Sequence, residues 1–263
     1  MQTGIFLQVL GKRVKIINMV MLAYSHMKLN VLPKSETFKG LSYGEWTAIW
    51  TNWFLSKDVD SYNGQDILFL RGDVNYKPVS DVEGAIRYQD PESFLDMTGQ
   101  KQQRILEGTS ILIPISVSYN AIGCYFEGIA IENEIDLRNA VNGDLDNVRT
   151  LWATVTINAT KKSIKLVPNL GSYKFESPLF KLRVPKDSAL NNSVDEPLKP
   201  GIYDAVAAGY FVLLRGLTPS IYRIEFGSEG PGEYATRSVY DVEVFPDKRK
   251  KPVDISGSSK YYK

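Results

Sequence analysis

The chain has 263 residues, 43% of them hydrophobic and 23% charged, which is enough to bury a full core and too apolar for wholesale disorder. Thirty-one basic residues against thirty acidic ones leave a formal charge of +1, so no global field steers the chain onto nucleic acid or an anionic membrane. One Cys and one His remove an intrachain disulfide, a thiolate metal site, most zinc sites and the usual Ser-His-Asp or Cys-His pairings.

Residues 1–39 read as an N-terminal arm with edge strands, the strand-forming stretches being 4–10 and 14–21. Lys12, Arg13 and Lys15 interrupt its apolar run, where a membrane span needs about twenty apolar residues. The same charges lie in the middle of the run, unlike those of a secretory signal peptide. The lone His26 reads as a surface or packing residue. Residues 40–245 read as one core domain that opens on a helix over residues 42–55. Ser42 and Glu45 form a capping box, and Leu41 with Trp46 are spaced as a hydrophobic staple. Trp46, Trp50 and Trp53 then fall at i, i+4 and i+7, on one helical face.

Beyond that helix the pattern turns to strands. Residues 66–71 read as a short buried strand ending at Gly72. Residues 75–103 are polar and irregular, with a possible short helix after Pro91. Residues 110–119 read as a strand in which Pro114 marks an edge or a bulge. An apolar segment broken by Gly123 and Gly128 precedes a second helix over about 132–151, which Asn142-Gly143 is expected to stop or kink. From Trp152 the reading is almost wholly β, with a hairpin turning at Lys161-Lys162 and strands near 179–184, 203–214, 221–226 and 239–245. The expected fold is mainly β: an antiparallel, jelly-roll-like β-sandwich with one or two short helices packed on it. Residues 246–263 read as a basic C-terminal tail, carrying Lys248, Arg249, Lys250 and Lys251 and later Tyr261 and Tyr262.

Ser42-Tyr43-Gly44-Glu45-Trp46, then Trp50 and Trp53, then Phe69-Leu70-Arg71-Gly72, resembles an uncharacterised Trp-rich-helix family of bacterial, archaeal and viral proteins. That family shows a Tyr-x-x-Trp start, a Trp-rich helix and a strand ending in Phe-Leu-x-Gly. Order-preserved similarity runs from about residue 40 to 245. The chain departs from the pattern at Thr51, where a second Trp is common, and lacks the loop cysteines and secretion signal often found. The resemblance implies a shared β-rich fold and transfers no functional residue.

Candidate chemistry is sparse. The Trp46, Trp50 and Trp53 face is either core or a sugar-stacking platform. The acidic pairs Asp58 and Asp60, Glu132 and Glu134, and Asp144 and Asp146 are the candidates for carboxylate-based glycoside cleavage. Residues 227–232 are Gly-rich but lack the Lys and following helix of a phosphate loop, and read as a turn. Asn158 and Asn191 head glycosylation-type triplets. No catalytic, cofactor-binding or metal-ligating residue is assigned, and no cofactor is expected. The expected function is a non-enzymatic structural protein of a large assembly, a virion component such as a capsid-associated or minor capsid protein. Its expected place is a virion or an intracellular assembly. Its expected partners are other protein subunits, reached through both end segments, with nucleic acid unlikely except through the basic tail. A carbohydrate-binding or cell-surface module is the alternative, and a carboxylate-based hydrolase the third reading.

Overall fold

A computed structural model of the chain describes residues 29–55, 66–71, 78–79, 87–89, 103–126, 128–186, 199–230 and 235–247. In chain order these form β1 (Asn30–Val31), α1 (Tyr43–Leu55), β2 (Ile67–Phe69), β3 (Pro78–Val79), β4 (Arg87–Gln89), β5 (Gln103–Leu106) and β6 (Ser110–Ala121). There follow β7 (Tyr125–Phe126), β8 (Ile129–Ala130), α2 (Glu134–Asp146), β9 (Thr150–Ile157), β10 (Lys162–Lys165) and a 3-10 turn (Leu170–Tyr173). The chain continues through β11 (Lys174–Glu176), β12 (Phe180–Val184), β13 (Gly201–Arg215), β14 (Ser220–Glu229) and β15 (Ala235–Phe245).

The first sheet is organised around β13. Its sequence is apolar at nearly every position from 205 to 214 because both of its faces are covered. Val206, Ala208, Tyr210, Val212 and Leu214 point to one side, into a core shared with the second sheet and α2. Phe211 and Leu213 point to the other, against Tyr43, Trp46, Trp50 and Trp53 of α1. One edge of β13 is taken by β6 along most of its length. The other edge is taken in succession by three short strands, β12, β11 and β1. A long strand edge is thereby closed without a second long partner. Asn52 of α1 then holds the outer side of β12, its side-chain amide donating to the Lys181 carbonyl at 3.1 Å and accepting from the Arg183 amide at 3.0 Å.

The second sheet runs β10-β9-β14-β15-β4-β3, with β5 also on β15. Ala153, Val155 and Ile157 of β9 and Tyr222, Ile224 and Phe226 of β14 face the first sheet across the shared core. Two corners join the sheets at one end. The β5–β6 corner turns at Gly108 (φ 95°), with the Thr109 amide donating to the Leu106 carbonyl. The β13–β14 corner turns at Gly216 (φ 67°), and Leu217 drops into the core beside it. Both glycines occupy left-handed backbone conformations that a side chain would strain. The corners lie side by side, because Ile111 at the start of β6 pairs with Leu214 at the end of β13.

The expectation of an antiparallel sandwich is met in part, since most strand pairs are antiparallel but the sheets are mixed. β2 runs parallel to β6, and β4 and β5 run parallel to β15. A parallel pair needs a long connection, and each of these pairs joins segments well separated in sequence, where no hairpin dictates direction. A second correction concerns α2, which continues through Asn142-Gly143 to Asp146. A Cβ on Gly143 would lie 3.1 Å from the Phe126 ring, so the glycine is there to let the β7–β8 hairpin approach. Asn142 keeps to the helix by donating to the Arg138 carbonyl and to Glu176. Pro114 does sit at a bulge: the register shifts between Tyr210, opposite Ser116, and Phe211, opposite Pro114. Asn30 and Val31, within the segment assigned to the arm, pair with β13 at the edge of the first sheet, and Leu32 beside them is fully buried. His26, the possible helix after Pro91, Asp58, Asp60 and Asn191 fall outside the described residues.

Candidate interaction surface

The tryptophan face is core. Trp46, Trp50 and Trp53 retain at most 6% of their exposure, and two of their indole N–H groups are used internally. Trp46 Nε1 donates to the Phe38 carbonyl and Trp50 Nε1 to the Leu70 carbonyl. Trp50 stacks on Phe54 with ring centroids 4.8 Å apart, and the Arg71 guanidinium lies over the Trp53 ring. These faces meet protein on all sides and leave no plane for a pyranose ring. Lys248, Arg249, Lys250, Lys251, Tyr261 and Tyr262, the candidate partner contacts, lie outside the described residues.

Of the acidic pairs, Asp144 and Asp146 do not converge. Asp144 accepts from the Ser118 hydroxyl, whereas Asp146 is bridged by Lys174 at 3.0 Å. Residues two apart on a helix point in different directions, so those two carboxylates do not face a common substrate atom. Glu134 is engaged by Arg138, which also reaches Glu176 and the Ser177 carbonyl. The hydrogen bond that Arg138 donates to Glu134, reinforced by that to Glu176, holds the guanidinium more firmly in its charged form than usual. This network fastens the first half of α2 to β11, giving the exposed groups around it a fixed platform. Among the described residues no group of three or more His, Cys, Asp or Glu side chains is arranged to hold a metal ion, and no helix is long and apolar enough to cross a membrane.

What the fold gathers instead is exposed apolar surface, at the end opposite the two corners. Ala121, the last residue of β6, pairs with Ala205 near the start of β13, and Phe180 of β12 pairs with the same residue from the other side. Arg138 on the Ser177 carbonyl brings the first turn of α2 over these rows. Five large apolar side chains are exposed on β7, β8, α2, β13 and the residue before β12: Tyr125 (53%), Ile129 (72%), Ile135 (70%), Leu179 (41%) and Ile202 (70%), with Tyr125 and Ile129 on opposite faces of the β7–β8 hairpin. Ile202 shares its side of β13 with Val206, by strand alternation, and so lies on the side that carries α2. Only one other exposed large hydrophobic is found among the described residues, Leu106 at the corner end.

Charge is distributed unevenly around this surface. Asn133 caps α2, its side-chain oxygen accepting from the Ile135 and Asp136 amides, while Asp136 accepts in return from the amides of Glu132 and Asn133. Glu132, Glu134 and Asp136 therefore ring the positive end of the helix dipole beside Ile135. Arg183 stands opposite Ile202 at the far border. Sequence reasoning placed the helix but missed these exposed side chains, since single exposed Ile residues carry no signal in the sequence. No family model, curated protein or solved structure matches the chain, so the surface is read from its own chemistry.

Proposed function

We propose that the protein is a non-enzymatic structural component of a larger assembly, a virion or a comparable particle, in which its β-sandwich meets other protein subunits. The observation that carries this reading is the exposed apolar end formed by Tyr125, Ile129, Ile135, Leu179 and Ile202. Monomeric proteins rarely leave large apolar side chains grouped in water, because covering them gains about 25 cal/mol for each Å² removed from solvent. A grouped surface on a rigid sheet-and-helix platform fits a permanent neighbour better than a small ligand. A jelly-roll-like arrangement of the sheets belongs to the same proposal, as does a particle as the setting.

Substituting Ile129→Asp and Ile135→Asp together tests the reading in the native source. Both side chains are mostly exposed, so the variant keeps its fold, checked by circular dichroism. It is expected to leave the high-mass fraction that holds the unsubstituted protein. Unsubstituted protein that fractionates as a single chain, or a variant that stays in the particle, overturns the proposal.

A further inference from the structure

Trp152 stands apart from the three tryptophans of α1. It lies on β9, whose Ala153, Val155 and Ile157 face the core, so by strand alternation Trp152 and Thr154 point to the outer side of the second sheet. On β14 the inward residues are Tyr222, Ile224 and Phe226, which puts Arg223, Glu225 and Gly227 on that same outer side. Gly227 pairs with Trp152, and a Cβ at 227 would meet the indole Cζ2 at 2.5 Å and press on the Thr236 carbonyl. The indole therefore reaches across from β9 and fills the place that a side chain on β14 would take. The ring stays half-buried and joins none of the core clusters among the described residues. Unlike Trp46 and Trp50, Trp152 donates its indole N–H to no protein group among the described residues.

Polar groups stand around this ring in register. Thr154 pairs with Glu225, which is diagonal to Trp152, a spacing of about 7–8 Å. Arg237 pairs with Gly227 from the far side and binds Glu225 Oε1 through both Nε and Nη2 at 2.9 Å, which leaves Glu225 Oε2 without a protein partner. Arg223 stands opposite Asp241, so the charges of the face are matched, and Val239 opposite Glu225 is its apolar neighbour. We infer that this outer face binds a neutral glycan, with one pyranose ring stacked on the Trp152 indole. The C–H face of a pyranose is flat and apolar and packs on an aromatic ring, while the hydroxyls at its rim both donate and accept. Glu225 Oε2 supplies an acceptor there, and Arg237 and the Thr154 hydroxyl supply donors. Matched charges give no attraction for an anionic sugar. They also suit a protein partner poorly, since the centres of protein interfaces are depleted of charged residues. The inference uses none of the residues that carry the assembly reading and adds a ligand to it.

Titrating the full chain with cellohexaose, chitohexaose, mannohexaose and xylohexaose, followed by tryptophan fluorescence, tests the site. At least one is expected to bind with a blue shift in emission, because Trp46, Trp50 and Trp53 are already buried and Trp152 alone gains cover. Affinity for that sugar is expected to fall by about tenfold or more for Trp152→Ala and by less for Trp152→Phe. Glu225→Ala is expected to weaken it severalfold, and heparin, a polyanion, is expected not to compete. Urea unfolding of each variant checks the fold, and Trp152→Phe, which keeps a ring over Gly227, carries the test if the alanine variant unfolds. Binding to none of the four sugars overturns the inference, as does binding indifferent to both Trp152→Phe and Glu225→Ala. Competition by heparin overturns the neutral class of ligand. A Trp152→Ala chain that binds sugar unchanged but leaves the high-mass fraction of the native source makes the face a subunit contact, which removes the glycan and keeps the assembly reading.

Discussion

Two residues at the start of α1 show how single side chains link layers of this fold. The Tyr43 hydroxyl donates to the Leu32 carbonyl and accepts the Leu213 amide, each at 3.0 Å, tying α1 to β13 and to the segment just after β1. Burial of the phenol raises its pKa well above the ordinary value of 10.0, outweighing the Leu213 amide, which lowers it. Tyr43→Phe keeps the ring stacked on Phe175 but strands a buried amide, and should cost about 1–3 kcal/mol. A lower urea midpoint with an unchanged slope is the expected result. Glu45 is exposed, and its carboxylate accepts from the Ser42 amide at 2.7 Å and from the Ser42 hydroxyl at 2.8 Å. The amide hydrogen bond first, and the hydroxyl second, hold its pKa below the ordinary 4.5. A carboxyl with a lowered folded value contributes its stability above the unfolded value and loses it as pH falls through the folded one. In an NMR titration the Glu45 carboxyl should therefore turn over below 4.5, and Ser42→Ala should bring the midpoint back towards it.

At the scale of elements, periodicity was a good guide wherever burial is one-sided. The capping box and the tryptophan spacing located α1 to within a residue, and alternation found β9, whose two faces differ in burial. It misled at Asn142-Gly143, where a local stop signal was overridden by a ring packed on the helix from outside. Gly44 presents the same conflict with a measurable sign. Helix propensity alone makes Gly44→Ala stabilising by up to about 1 kcal/mol. In the fold, however, a Cβ there would lie 2.4 Å from the Glu176 carbonyl oxygen, against backbone that cannot rotate away. Gly44→Ala should therefore destabilise, by about 1–3 kcal/mol as overpacking does, with a lower midpoint in thermal or urea unfolding. A gain in stability would show that α1 does not approach β11 so closely. Asn52, which closes the edge of β12, could not be read from sequence at all, since its partners lie about 130 residues along the chain.

For the whole molecule, the β-rich class was legible but strand direction and sheet order were not. Alternation reports which face of a strand is buried and carries no information about whether its neighbour runs with it or against it. The parallel pairing of β2 with β6 and of β5 with β15 therefore emerges only in three dimensions, and so does the apolar end. The reliance of one sheet on β13 bears on how the protein is made. β1, β6, β11 and β12 all find their hydrogen-bonding partner in residues 201–215, which a ribosome polymerises after every one of them. From the end of β6 to the end of β13 the elongating chain needs roughly 5–20 s at usual translation speeds. Throughout that interval the aromatic face of α1 and one whole edge of β6 await a strand that does not yet exist, which makes the nascent chain a natural client for a chaperone that shields apolar strands.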